Sequence, residues 1–335
     1  MPFQFDQQAT CPNCPHGFCI KDRRTNPIPG RKTQFRFHQH EAVACCFESF
    51  VPGTDNDPDP NRSFVTYLNQ FGENAEKAGQ ILFGADCDIG KQAIAKVTGD
   101  IFELIGAATL WNAASVWNRF MDTGVWKSNS FVCPKDSVAA PGRKVAIVPL
   151  PRGYDATLLF REDARKSIAA HEHALKQAEM ELGLSAPDIV GVRIPEPCPK
   201  EFKQFLQPLP NLGDSSRQRI ENAYQSIEGK LDGRSFLFAI AMKRSIRSDR
   251  LYQPLFEANI LKYLISEVLR GSALRFFAHF GDIEGANAED HYRAATIVSL
   301  MRGGKFERAI DKLYVAVKPR DTAQEILQHL PSYAL

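Results

Sequence analysis

The chain has no long hydrophobic run. Its longest strongly apolar stretch is Phe236 to Met242, far short of the roughly 20 residues a membrane-spanning helix needs. It also lacks an excess of charge of one sign. Its 41 Lys and Arg stand against 39 Asp and Glu, a formal net charge of +2. Nucleic-acid binders often carry a strongly basic balance, so any affinity for DNA or RNA here must come from local clusters. The start, MPFQFDQQATCPNC, shows no basic segment followed by an apolar one, and a secretory leader is not expected. No internal repeat or low-complexity tract is visible. What remains is a mix of 44% apolar and 24% charged residues over 335 positions, enough chain for a sizeable globular core.

Cysteine is not scarce. There are 8: Cys11, Cys14, Cys19, Cys45, Cys46, Cys87, Cys133 and Cys198. Without a leader, reduced thiols are the expectation. Cys11-Pro-Asn-Cys14, with His16 and Cys19 close behind, has zinc-like spacing, and His38, His40, Cys45 and Cys46 offer a second ligand pair. Structural zinc is therefore an alternative, and the bland reading is a set of free cysteines.

The pattern along the chain is mixed. Residues 1–35 read as an irregular arm, and 51–62 and 127–143 as loops. From Lys91 to Met121, the residues Ile94, Val97, Ile101, Leu104, Ile105, Ala108 and Trp111 recur at spacings of three and four, the mark of a helix with one buried face. Strands are expected at 145–150, 156–160, 189–194, 235–242 and 274–280. Helices are expected at 162–182, from Pro254 to about Arg270 with Phe256, Ile260, Leu261, Leu264, Ile265 and Val268 inward, and at 288–301. A proline-rich connection covers 195–215. The order predicts an α/β (α+β) fold, a central mixed sheet flanked by helices, in a single domain over 1–335.

The chemistry concentrates at two strand ends. Pro187-Asp188 opens one expected strand, and Ala241-Met242-Lys243 closes the next. If the two strands are neighbours, the carboxylate and the ammonium meet at one sheet edge. That pair suits phosphodiester hydrolysis: oxygen ligands select magnesium or manganese, and a lysine stabilises developing negative charge. This is the logic of the PD-(D/E)xK nucleases, except that Ala241 stands where the second acid belongs. Glu257, separated from Lys243 by thirteen intervening residues and in the first turn of the next helix, is the candidate replacement. Glu103 supplies a further carboxylate, one heptad after Lys96. Taken singly, each has a plain structural reading: a turn aspartate, a solvated lysine, a first-turn helix charge. Directly after the strand comes Lys243-Arg244-Ser245-Ile246-Arg247-Ser248-Asp249-Arg250. Arginine bonds guanine O6 and N7, and aspartate accepts from cytosine N4, so Arg247, Asp249 and Arg250 hold the donors and acceptor a C·G step needs. The plain reading is a solvated basic turn.

At these residues a resemblance enters. The stretch AMKRSIRSDRLYQPLFEANILKYL, the Pro187-Asp188 pair and the K-x13-E spacing resemble the CCGG group of type II restriction endonucleases, and in particular its SgrAI-like branch. So do KVTGDIFE at 96–103, Trp111-Asn112, Trp117-Asn118 and SAPDIV. The resemblance fades after about Tyr314, and the Cys11–Cys19 segment has no counterpart in it. It implies Asp188, Lys243, Glu103 and Glu257 as catalytic residues, with Asp188, Glu103 and the Met242 carbonyl on Mg2+ (Mn2+ able to substitute). It implies Arg247, Asp249 and Arg250 reading the core, and Lys96 and Arg31 near the outer bases. The expected enzyme is a cytoplasmic, prokaryotic homodimer on double-stranded DNA, able to form higher-order DNA-bound oligomers. It cuts CR/CCGGYG or a close relative to leave a 5′ overhang. The alternatives are a repair-type nuclease of the same fold, a catalytically silent sequence-specific DNA-binding protein, and a zinc-stabilised interaction protein.

Overall fold

The computed structural model describes residues 49–333 apart from 84–87, 90, 184–185, 246–250, 272, 283–287, 304–305 and 316; before residue 49 it describes Phe47 and the backbone of 20–21 and 34–37. Three short strands, β1 (Ile20–Lys21), β2 (Gln34–Phe37) and β3 (Asp88–Ile89), pair in that order. Residues 51–62 are turns, as composition predicts. Asp57 organises them by accepting from the backbone N–H of Gly53 at 2.7 Å and the hydroxyl of Tyr67 at 2.5 Å.

Helices α1 (Phe64–Phe83) and α2 (Lys91–Thr123) follow. The expected inward face of α2 is largely present, with Val97, Ile101, Ile105, Ala108 and Trp111 buried. From Ile101 onward, however, the helix is enclosed on nearly every side. Two Trp-Asn pairs make this enclosure tolerable. Trp111 and Trp117 donate their indole N–H groups to the carbonyls of Gln207 and Arg143, at 3.0 and 2.8 Å. The Asn112 amide exchanges two hydrogen bonds with the backbone of Leu209, and that of Asn118 two with Val145. Each buried polar side chain thereby satisfies backbone groups beside the helix.

The main sheet is five-stranded, in the order β4 (Val145–Pro149), β5 (Ile189–Arg193), β6 (Phe236–Lys243), β7 (Arg275–Phe280), β8 (Lys312–Val315). The first two pairings are antiparallel and the last two parallel. Strands β4 to β7 are buried almost throughout, which matches their continuous apolar runs. The remaining helices are α3 (Glu162–Gln177), α4 (Asp214–Glu221), α5 (Gln253–Tyr263), α6 (Ala288–His291), α7 (Ile297–Arg302) and α8 (Pro319–His329). The mixed α/β class is as expected.

Several local expectations are corrected. Residues 156–160 are not a strand. Ala156–Leu159 form a 3-10 turn, because the Asp155 carboxylate accepts from the Thr157 N–H at 2.9 Å and caps it. The helix expected at 288–301 is divided into α6 and α7; Ala295 bridges to Arg308, and the Thr296 hydroxyl caps the second piece. The helix from Pro254 continues past α5 as a π segment, Leu264–Val268. Within α5, Phe256 is 51% exposed, while Glu257 is buried; the register turns the aromatic out and the acid in. The proline-rich connection contains its own 3-10 helix, Lys200–Leu206. Helices α1, α4 and α8 and strands β1, β2, β3 and β8 were not foreseen.

Candidate active site

The pairing of β5 with β6 sets the site. Ile189 lies opposite Ile240, so Asp188, one residue before β5, falls beside the end of β6. Its carboxylate takes a hydrogen bond from the Met242 backbone N–H at 2.6 Å on Oδ2. Lys243 Nζ reaches both oxygens, at 2.7 Å on Oδ1 and 2.6 Å on Oδ2. The Asp188 carbonyl accepts from the Leu150 N–H at 2.9 Å, which ties the exit of β4 to the same edge. The aspartate and the lysine are therefore held by ladder geometry, not by chance surface proximity.

The third group comes from α2. Glu103 Oε1 lies 3.9 Å from Lys243 Nζ and 3.8 Å from the Arg152 guanidinium. Burial, and next the negative charge of Asp188, push the Glu103 carboxyl up to about 7, against the opposing pull of Lys243 and Arg152. Helix α2 comes this close to β6 because residue 106 is glycine: a Cβ there would stand 2.1 Å from Met242 Cε. Two carboxylates facing each other in a half-buried cleft, one of them strained toward its neutral form, are a donor set that a hard divalent cation relieves. The chemistry of this oxygen-only donor set, with a lysine alongside, fits magnesium or manganese.

The cleft around these groups is a cavity of about 690 Å³ lined in part by Glu103, Arg152, Asp188, Lys243 and Gln253. Glu257 stands behind this wall. It is buried, on α5, and takes a hydrogen bond from Gln253 Nε2 at 2.9 Å. Lys96 is exposed on α2, two turns before Glu103. Met242 has a buried side chain and turns its N–H to Asp188. Arg31, Arg247, Asp249 and Arg250 lie outside the described residues, as do the proposed zinc ligands Cys11, Cys14, His16, Cys19, His38, His40, Cys45 and Cys46. Cys133 and Cys198 are free thiols. Among the described residues, no group of three His, Cys, Asp or Glu side chains is arranged to hold a metal.

Sequence reasoning missed two residues. Arg152 and Asp100 pair at 2.6 Å beside Glu103. Asp100 precedes Glu103 by one helical turn, so the i, i+3 relation on α2 was the available signal for it. Arg152 sits in a turn and carries no periodic signal.

Residues 67–332 of the 335 match the model of the Cfr10I/Bse634I restriction endonuclease family. The chain belongs to that family. It is a type II restriction endonuclease by descent. A crystal structure of the type IIF restriction endonuclease Bse634I with cognate DNA superposes with a TM-score of 0.71 at 17% identity, over 93% of this chain and 97% of that one. A further Bse634I structure gives 0.70 at 17% identity, over 94% and 97%. At that identity the likeness establishes the shared restriction-endonuclease fold. No curated protein matches the chain by sequence.

Proposed function

We propose that this member of the Cfr10I/Bse634I family cuts duplex DNA at a palindrome with a CCGG core, CR/CCGGYG or a close relative, leaving a 5′ overhang. The observation that carries the chemistry is the convergence of Asp188, Lys243 and Glu103 within 4 Å. Bse634I has been crystallised with cognate DNA, which supports duplex DNA as the partner. A homodimer follows from the symmetry of a palindromic site.

Asp188, Glu103 and the Met242 carbonyl would hold Mg2+, with Mn2+ as a substitute. When bound, the ion polarises the phosphate and lowers the pKa of an attacking water. Lys243 turns its ammonium from Asp188 toward the phosphate and stabilises the charge that builds on its oxygens. Glu257 orders that wall of the cleft through Gln253 and takes the place of the acid absent at Ala241. Arg247, Asp249 and Arg250, directly beyond β6, read the core in the major groove. Lys96 and Arg31 approach the outer pairs.

Asp188→Ala is expected to abolish cleavage and leave duplex binding. Substantial cutting by that variant would remove Asp188 from the mechanism. Arg250→Ala is expected to cost on the order of 1–3 kcal/mol of specific binding, measured by competition between CCGG duplexes and duplexes altered in one core base. Equal discrimination by wild type and variant would refute the assignment.

A further inference from the structure

Among the described residues lining the catalytic cleft, the cations are Lys243 and Arg152, and the proposed reaction gives Arg152 no part. It stands at the corner of a tight turn that follows β4. The Tyr154 N–H closes the turn on the Pro151 carbonyl at 3.0 Å, and Gly153 takes φ +70°, the conformation a type II turn requires at its third position and that glycine supplies at no steric cost. The turn is braced on both sides. Leu150 is tied to the Asp188 carbonyl, as above. Tyr154 donates its hydroxyl to Glu228 at 2.8 Å, and its ring packs edge-on against Tyr224 at 5.0 Å.

Among the described residues, the guanidinium is held through Nη2. Nη2 bonds Asp100 Oδ1 at 2.6 Å and lies 3.8 Å from Glu103 Oε1. The side chain is 66% exposed. Arginine has five N–H donors in a rigid fork, so most of the fork points to solvent. Arg152 also lines two cavities, the catalytic cleft and a second one of about 370 Å³ beside Asp188 and Ile220, which places it on the rim between them. Three considerations argue against a purely structural role. An exposed ion pair contributes little to stability, too little to account for so braced a turn. The pair leaves a fork suited to a phosphate unfilled. And Glu103 Oε1 sits between two cations, Arg152 and Lys243, at nearly equal distances, so the cleft presents positive charge on both flanks of its carboxylates.

We propose that Arg152 is a phosphate-binding residue of the endonuclease, with Asp100 as the group that pre-orients it. It grips a backbone phosphate of the cleaved strand at the cleft rim, through the donors that Asp100 leaves free. This rests on the reading of duplex DNA as substrate. The phosphate is either the scissile one or its neighbour; both offer the same oxygens, and turnover separates them.

The test uses the full-length protein with two labelled duplexes, one carrying CACCGGTG and one without a CCGG core, titrated without divalent metal between 50 and 200 mM salt. A phosphate contact carries no sequence information. Arg152→Ala is therefore expected to weaken both duplexes by the same factor, roughly three- to tenfold, and to flatten the slope of log K against log salt by about 1. Arg152→Lys is expected to keep the slope, and Arg152→Gln to follow the alanine variant. A grip on the scissile phosphate lowers kcat as well, whereas a grip on its neighbour leaves kcat alone. Unchanged affinity and slope in both neutral variants overturn the proposal. A fall in kcat with an unchanged salt slope also overturns it and makes Arg152 a positioning residue for Glu103. If wild type binds neither duplex, the DNA reading itself fails and this inference fails with it.

Discussion

Glycine 106 shows how one small residue fixes a reaction centre. Its missing side chain lets α2 press against Met242, and Met242 in turn holds Asp188 by its backbone N–H. Gly106→Val is expected to destabilise the protein by about 1–3 kcal/mol through overpacking, seen as a lower urea midpoint, because the added side chain would meet the end of the fully buried Met242 side chain. An unchanged midpoint would mean that the helix and strand separate at little cost. At this scale the sequence was most informative where chemistry and element boundaries coincide. Asp188 and Lys243 could be paired because each ends a buried strand, and the register of an antiparallel pair does the rest. Arg152 could not, since an arginine in a turn reads as solvated charge. Nor could the burial of Glu257 and the exposure of Phe256: a mostly apolar helix leaves its rotation undetermined until it packs.

At the scale of elements, strand β7 and helix α8 meet through His279. It is completely buried, bonds the Thr322 hydroxyl at 3.0 Å, and packs with its ring tilted against those of Phe64 and Phe102. Burial pushes its pKa down to about 3. A histidine depressed in the folded state binds its proton more readily when unfolded. Its contribution is complete above about pH 6.5, the unfolded value, and is lost as the pH falls toward 3. Between those limits it costs about 1.4 kcal/mol per pH unit. His279→Gln is expected to lower stability at pH 7.5 and to lose less than wild type on acidification to pH 4, compared by urea unfolding at both values. Parallel losses in the two proteins would contradict a neutral buried imidazole. A smaller element-level test concerns the divided helix. Thr296→Ala removes the side-chain cap on Ser299 and is expected to cost about 1 kcal/mol; no cost would mean that α7 stands by packing alone. The divided helix, the 3-10 turn at Asp155 and strand β8 escaped sequence reading for a common reason. Each depends on one side-chain cap or one distant strand partner, whereas α2 and β4 to β7 are written in long apolar patterns.

For the molecule as a whole, the near-balanced charge and the cleft belong together. A net charge of +2 gives little long-range attraction to DNA, so binding must rest on cations placed where the backbone passes and on base contacts. Lys243, Arg152 and the basic segment 243–250 fit that division of labour. Among the described residues no helix is long and apolar enough to cross a membrane. The sheet and its flanking helices are those of a restriction endonuclease, and the class was legible because the central strands are continuous apolar runs. The decisive experiment is digestion of a plasmid bearing a single CACCGGTG site, with magnesium, followed by sequencing of the ends. One linear product with a 5′ overhang inside that site is expected, and no product from Asp188→Ala. Intact plasmid under these conditions, or a smear of cuts unrelated to CCGG, would contradict the proposed function.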